Sequence, residues 1–163
     1  CNVSAMMLTP NGWLKFEEML RGKNVGNRAF LAMQFGDGRL NKIVDEHFRP
    51  AVSMTGFTLE RLDDNPEAGL IDNRLRVKLR QSRFTIADLT HANSGAYWEA
   101  GFVEGLGRPV IYTCERSAFT AKRTHFDVDH SQHVLWDEKD MDTFREQLKA
   151  CIRNSIPEAR QAD

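Results

Sequence analysis

Short apolar runs alternate with amphipathic segments from Arg28 onward. Some of these runs are compact and uncharged, and others alternate apolar with polar positions. Turn residues flank them, and both patterns are typical of strands. They comprise Phe30–Met33, Phe57–Leu62, Phe84–Ala87, Val110–Thr113 and His133–Trp136. The segments between them carry apolar residues at helical spacing. The first of these positions are Leu40, Ile43, Val44, Phe48 and Val52.

Three further helices are predicted. Ile71, Leu75 and Leu79 form one face of the first, and the other two have defined ends. One contains Ala96, Ala100, Val103 and Leu106, and Gly107 and Pro109 end it. Asp137 is expected to cap the last helix. The inner face of that helix is formed by Met141, Phe144, Leu148, Cys151 and Ile152.

This order of strands and helices predicts an α/β fold with a mainly parallel sheet, because helices between strands form right-handed crossovers. Five strands indicate a flavodoxin-like three-layer sandwich, which binds ligands at the carboxyl ends of its strands near the switch point. In that fold the first and third strands flank the switch point. Their exits are residues 34–38 and 88–99, so we expect these two loops at the same edge of the sheet.

Residues 1–27 do not follow this pattern. Trp13, Phe16 and Leu20 are spaced to form one helix, and the segment 22–27 has the composition of a linker. We interpret residues 1–27 as the tail of a preceding module and residues 28–163 as the α/β domain. The first residue is Cys rather than Met, so an upstream part of the natural protein is expected.

Composition narrows the class of protein. The chain has 22 basic and 23 acidic residues, and this balance argues against a nucleic-acid-binding platform. No apolar run approaches the ~20 residues that span a membrane, and no secretion signal is evident. The three cysteines are scattered, which indicates neither a disulfide framework nor a thiolate zinc site. A reducing cytosol is therefore the expected location.

One segment has the residues for chemistry. Glu99 lies four residues after Gly95 near the start of a predicted helix, where the helix dipole favours an ionised carboxylate. Asp88 ends the third strand, and Asn93 and Tyr97 lie between the two acids. Such groups suit a reaction through an oxocarbenium-like state, in which a carboxylate faces the sugar carbon. The alternative is structural, since acids at these places often end strands or cap helices.

The same segment resembles a known family. Residues 86–101 read IADLTHANSGAYWEAG and residues 105–111 read GLGRPVI. This is similar to the nucleoside 2-deoxyribosyltransferase-like family, which is related to TIR-type NAD-cleaving domains. Family members read ADLT, then Asn, an aromatic residue, Glu, an aliphatic residue and Gly, followed by a strand of GKPVI type. Residues 29–35, AFLAMQF, resemble the family's first strand, and the resemblance extends from Ala29 to Asp127.

The resemblance implies roles for individual residues. Glu99 would be the nucleophile, or the carboxylate that faces the anomeric carbon. Asn93 matches an acidic or amide position six residues earlier, and Asp72 lies near an acid that helps to protonate the base. Gln34 and Phe35 would line the base or ribose pocket. Two residues depart from the family pattern: Ala100 stands where an aliphatic residue is usual, and Asn93 stands where the transferases have an acid. The departure at Asn93 weakens the expectation of deoxyribosyl transfer more than it weakens the expectation of the fold.

The remaining candidates concern a metal and a pocket-closing loop. His125, Asp127, Asp129, His130 and His133 are potential metal ligands. An extended segment points alternate side chains apart, and no second ligand cluster accompanies them. We therefore predict neither a metal nor a cofactor. Residues 125–130 are interpreted as a loop before the fifth strand, in which Phe126 and Asp127 resemble a family element that closes over the pocket.

Two other features have alternative interpretations. Gly36-Asp37-Gly38 is either a tight turn or a phosphate-binding turn, since glycine lets backbone amides approach an anion. A basic run forms either a solvated helix face or a partner for nucleotide phosphates. It consists of Arg74, Arg76, Lys78, Arg80 and Arg83.

The sequence thus supports two hypotheses of different class. The first is an enzyme that cleaves or transfers from the N-glycosidic bond of a nucleoside, nucleotide or NAD through Glu99, with substrate contacts from Gly36, Asp88 and Asp127. The second is a nucleotide-sensing or TIR-like assembly domain of a larger protein. A homo-oligomer is expected in the first case, because related transferases complete their pockets across subunits.

Overall fold

The computed structural model describes residues 9–13, 26–64, 71–121 and 133–162. Within these ranges the chain forms a five-stranded, all-parallel sheet in the order β2-β1-β3-β4-β5. The strands are β1 (Arg28–Ala32), β2 (Thr58–Glu60), β3 (Phe84–Asp88), β4 (Val110–Glu115) and β5 (His133–Trp136). This order is that of a flavodoxin-like fold and confirms the prediction.

The first predicted helix consists of three parts. α1 (Gly38–Ile43) continues through a π-helical turn, Val44–Phe48, into α2 (Arg49–Met54). Arg49 N–H donates to the carbonyl of Val44, five residues back. Pro50 follows directly and has no N–H to give an α-helical bond, which explains why the wider turn lies here.

The other helices follow the strands in turn. They are α3 (Ile71–Gln81), α4 (Ser94–Gly105), α5 (Arg116–Thr120) and α6 (Met141–Ser155). Helix α5 has a single buried apolar residue, Ala118, which explains why its sequence carries no amphipathic signal. None of the described helices is both long enough and apolar enough to cross a membrane.

Two apolar layers cover the sheet, because successive side chains of a strand point to opposite faces. On one face, Phe30 and Ala87 pack with Leu79 of α3 and Val103 of α4. The opposite face packs against the segment from α1 to α2 and against α6. Its largest fully buried members include Phe48, Phe84, Ile86, Trp136 and Phe144. The result is the predicted three-layer sandwich.

The start of the last helix differs from the prediction. Asp140, not Asp137, caps α6, and its carboxylate accepts from Thr143 N–H at 3.3 Å. Asp137 forms the preceding turn, where its side chain accepts from Lys139 N–H and its carbonyl from Asp140 N–H. Both acids precede the same apolar face, so the sequence pattern alone did not distinguish cap from turn. In the N-terminal segment, residues 10–13 are helical, whereas Phe16 and Leu20 lie outside the described residues.

Candidate functional site

The exits of β1 and β3 are joined by side chains at the switch point. Asn93 Nδ2 donates to Gln34 Oε1 at 2.5 Å. A second contact links the same two loops, because His91 Nε2 lies 2.8 Å from Asp37 Oδ2. The structure therefore brings together the two loops that the sequence placed at one edge of the sheet.

Asn93 also caps helix α4. Its Oδ1 accepts from the N–H groups of Gly95, at 2.6 Å, and Ala96, at 3.4 Å. A Cβ atom on Gly95 would lie only 2.9 Å from that oxygen, so a larger residue here would push the Asn93 side chain out of its capping position. The Asn93 side chain is thus fixed at both ends, and it presents neither a free acid nor a free amide oxygen to a ligand.

The residue before Asn93 has a strained backbone. Ala92 has a φ of +50°, in the left-handed region that residues with a Cβ rarely adopt. Its N–H donates to the carbonyl of Leu89 at 2.9 Å and closes the turn. This conformation lies between His91 and Asn93, the two residues that contact the β1 exit. Such strain persists where the surrounding contacts fix the loop.

The β1 exit is a tight turn that leads into helix α1. Gly36 has a φ of +82°, which favours glycine, and the preceding Phe35 side chain is 46% exposed. Asp37 Oδ1 caps α1 by accepting from the N–H groups of Arg39 and Leu40. The backbone hydrogen bond from Leu40 is the main cause that lowers the pKa of Asp37. The capping carboxylate is evidence for the tight-turn interpretation of this segment.

Asp88 lies in the interior rather than in an open site. Its carboxylate accepts hydrogen bonds from Thr90 N–H, Thr113 Oγ1 and Trp136 Nε1, at 3.1, 2.8 and 2.9 Å. The residue is 3% exposed, and burial raises the pKa of its carboxyl against the effect of these hydrogen bonds. Asp88 therefore ties β3 to β4 and β5, and its oxygens are occupied by the protein itself.

Glu99 is the sixth residue of α4 and is 7% exposed. Burial raises the pKa of its carboxyl to about 7. The sequence had predicted that the helix dipole would keep Glu99 ionised, but the dipole's effect fades within the first turn, and Glu99 lies in the second. Across the described ranges, no hydrogen bond or ion pair reaches this carboxylate. A buried acid of this kind is typical of functional sites.

The aromatic residues before Glu99 occupy different environments. Tyr97 is partly buried and packs against the apolar cluster of α3 and α4. Trp98 is 45% exposed and stacks on Phe102, with ring centroids 5.4 Å apart. Arg76 lies over the Trp98 ring at 5.6 Å and Arg80 over the Phe102 ring at 5.5 Å. Two arginines of the basic run are thus cations over aromatic rings on the outer face of α3 and α4.

Two predicted site residues are not described with their side chains. Asp72 lies in the first turn of α3, and its side chain is outside the description. Asp127 lies outside the described residues, as do His125, Asp129 and His130. His133 is on β5, where its ring lies 5.7 Å from Tyr112 and 5.1 Å from Phe119. Among the described residues, no group of three or more His, Cys, Asp and Glu side chains is placed to hold a metal ion.

The sequence did not single out the charged contacts around Arg39. This guanidinium donates to both oxygens of Glu115, at 2.9 and 3.2 Å, and to Glu138. It also lies over the Trp136 ring, 5.5 Å from the centroid. The partners are 76 and 99 residues away in sequence, so no local motif indicates them. His91 was missed for the same reason, since Asp37 is 54 residues away.

The fold and this edge of the sheet define a flavodoxin-like α/β domain with a polar cluster at its switch point and a buried acid on the helix that follows β3. The chain matches no model of a known protein family, and a search of curated proteins finds no significant match. The resemblance to nucleoside 2-deoxyribosyltransferases therefore stays a prediction.

Proposed function

We propose that this domain cleaves, or transfers from, the N-glycosidic bond of a nucleoside, nucleotide or NAD, with Glu99 as the reacting carboxylate. The observation that carries the proposal is the state of Glu99. The residue is 7% exposed, burial raises the pKa of its carboxyl to about 7, and the carboxyl makes no hydrogen bond within the described part of the chain. A carboxyl without a structural partner is costly to bury, which favours a chemical role.

The position of Glu99 also supports this function. Ligands of doubly wound α/β folds bind at the carboxyl ends of the strands beside the switch point. Helix α4 starts there, after the exit of β3, and Asn93 fixes that start through its cap and through Gln34. Phe35 offers an exposed ring at the same edge, and aromatic rings stack on nucleobases of any sequence.

Cleavage of an N-glycosidic bond requires a carboxylate placed against the anomeric carbon. The ionised Glu99 carboxylate attacks the anomeric carbon, and the electron pair of the C–N bond leaves with the base. Water then attacks the same carbon and releases Glu99, which gives hydrolysis, whereas a second base in place of water gives transfer. A carboxyl with a pKa near 7 is substantially ionised at neutral pH and is poorly solvated, so it is a stronger nucleophile than an exposed one.

A chromatographic assay of base release tests the proposal. Wild type and Glu99→Gln are incubated with NAD, nucleoside monophosphates and deoxynucleosides. Glu104→Gln is the matched control, because Glu104 is an exposed acid on the same helix and glutamine keeps the oxygen that accepts from Tyr112 OH. We expect wild type and Glu104→Gln to release a free base and Glu99→Gln to lose this activity by a factor of roughly 100 or more.

Two outcomes contradict the proposal. Full turnover by Glu99→Gln excludes the assigned role of this carboxylate. If a compound stabilises the wild-type fold and no base appears, the domain is a nucleotide sensor instead, since a ligand at ~100 times its dissociation constant stabilises a fold by about 2.7 kcal/mol.

A further inference from the structure

We propose that His91, oriented by Asp37, is the acid that protonates the departing base at this site. This inference rests on the proposed N-glycosidic function and adds a second catalytic group to it. The starting point is the contact between His91 Nε2 and Asp37 Oδ2 at 2.8 Å, across the switch point of the sheet. Histidine is the side chain that most often transfers protons in enzymes, and a carboxylate on one ring nitrogen fixes its tautomer and orientation.

Asp37 is rigidly held for this task. Its Oδ1 accepts from the N–H groups of Arg39 and Leu40, at 2.9 and 3.1 Å, so Oδ2 is directed to the imidazole. These backbone bonds and His91 itself lower the pKa of Asp37, and the carboxylate is therefore ionised at neutral pH. The backbone of His91 is fixed in turn by the strained Ala92 and by Asn93.

The other ring nitrogen is available to a ligand. The His91 side chain is 39% exposed, and its Nδ1 forms no hydrogen bond with any residue that the structure describes. Gln34 and Asn93 already join the same loops through their amide groups.

The charged groups around His91 come from three elements. Asp37 precedes α1, Arg39 lies within α1, and Glu115 ends β4. Arg39 is the main cause that lowers the pKa of Glu115, and His91 contributes to the same effect. The Arg39 guanidinium donates to both oxygens of Glu115. The carboxylate that contacts the His91 imidazole directly is that of Asp37.

The proposed step balances as follows. The imidazolium donates its Nδ1 proton to the base while the electron pair of the C–N bond moves to the base and Glu99 oxygen bonds to the anomeric carbon. The base leaves neutral, and His91 is left neutral. Water then attacks the anomeric carbon and its proton passes to solvent, the sugar keeps the hydroxyl group, and the Glu99 carboxylate is released. The neutral His91 regains its Nδ1 proton from solvent.

The choice of leaving group separates this role from a structural one. A purine leaves poorly unless it is protonated, so its release needs an acid. Nicotinamide in NAD and a purine methylated at N7 are already cationic, and they leave as neutral bases without a proton. An acid catalyst therefore matters for the first kind of substrate and not for the second, whereas damage to the fold or to Glu99 affects both.

The experiment compares guanosine 5′-monophosphate with its N7-methyl derivative and with NAD, using wild type, His91→Gln, Asp37→Asn and Glu99→Gln. We expect His91→Gln to slow release from the unmethylated nucleotide by roughly 100-fold or more and release from the cationic substrates by less than about 3-fold. Asp37→Asn, which keeps a capping oxygen, should show the same selectivity with a smaller loss. Unfolding curves of the variants establish that each is folded.

Equal losses on both kinds of substrate, or no loss on either, would overturn the role of His91. Cleavage by wild type of cationic substrates alone would overturn it too, because no leaving group would then need the acid. In each of these cases the proposed function is still supported if Glu99→Gln releases no base from any substrate. If wild type releases no base from any compound, the proposed function itself fails, and the inference fails with it.

Discussion

Asn93 Nδ2 donates to Gln34 Oε1 at 2.5 Å, and this bond joins the exit of β1 to the start of α4. The other end of the Asn93 side chain caps α4 through Gly95 and Ala96. One side chain thus fixes the helix that carries Glu99 relative to the exit of β1. The position of the proposed reacting carboxylate therefore depends on Asn93.

Substitutions at Asn93 separate its two roles. We expect Asn93→Ala to lower the free energy of unfolding by about 1–2 kcal/mol, because the cap and the bond to Gln34 are both lost. Asn93→Asp keeps a capping oxygen, and the Gln34 amide can turn to donate to it, so the loss should be under about 0.5 kcal/mol. Urea unfolding measures both. Equal losses in the two variants would show that the cap contributes little.

Asp88 provides a second stability test, because its carboxylate accepts three hydrogen bonds while 3% exposed. An asparagine side chain would replace one carboxylate oxygen with an NH₂ group. That NH₂ group would then face the groups that donate to Asp88 in the wild type. We expect Asp88→Asn to cost about 3 kcal/mol, since buried donors are left without acceptors. Asp142→Asn is the control, because that side chain is 86% exposed and the change should be nearly neutral. A cost below 1 kcal/mol for Asp88→Asn would contradict the structural role of Asp88.

Much of the fold was predictable because it depends on local periodicity. Every predicted strand is present, and the predicted β5, His133–Trp136, matches the structure exactly in its bounds. The switch point followed from the strand order, so the meeting of residues 34–38 with the β3 exit was predictable as well. The π-helical turn was not predicted, although Pro50 marks its place, since the apolar spacing around it is nearly the same in an α-helix.

The candidate site was only partly predictable. Glu99 and Asn93 were identified from one continuous segment, but the environment of each depends on distant residues. Burial rather than the helix dipole determines the pKa of Glu99, and burial follows from packing that no local pattern encodes. The environment of Asp88 could not be predicted from a local pattern either, because its partner Trp136 is 48 residues away in sequence.

The strained loop leads to a third prediction. Ala92 has a φ of +50°, and the left-handed region costs a residue with a Cβ roughly 1–2 kcal/mol. Glycine removes this strain but loses about 0.5–1 kcal/mol of backbone entropy. We expect Ala92→Gly to raise the free energy of unfolding by about 0.5 kcal/mol and Ala92→Val to lower it by more than 1 kcal/mol. If glycine destabilises the fold, the turn is not strained at this residue.

The buried carboxyl of Glu99 makes stability depend on pH. Its pKa is raised from 4.5 to about 7 in the folded chain, so the folded state holds the proton more tightly than the unfolded state. The resulting stabilisation is complete below pH 4.5 and is lost as pH rises through about 7. Above that pH the folded chain holds a buried charge, which costs up to about 3 kcal/mol.

Glu99→Gln removes this titration. We expect the variant to unfold at nearly the wild-type denaturant concentration at pH 4.5 and at a higher one at pH 8, with a difference in unfolding free energy of up to about 3 kcal/mol. Glu104→Gln, which keeps an oxygen to accept from Tyr112 OH, should keep the wild-type dependence on pH. Urea unfolding across this range measures the effect. A difference between wild type and Glu99→Gln that does not change with pH would show that Glu99 titrates as an ordinary carboxyl, and the proposed function would lose the observation that carries it.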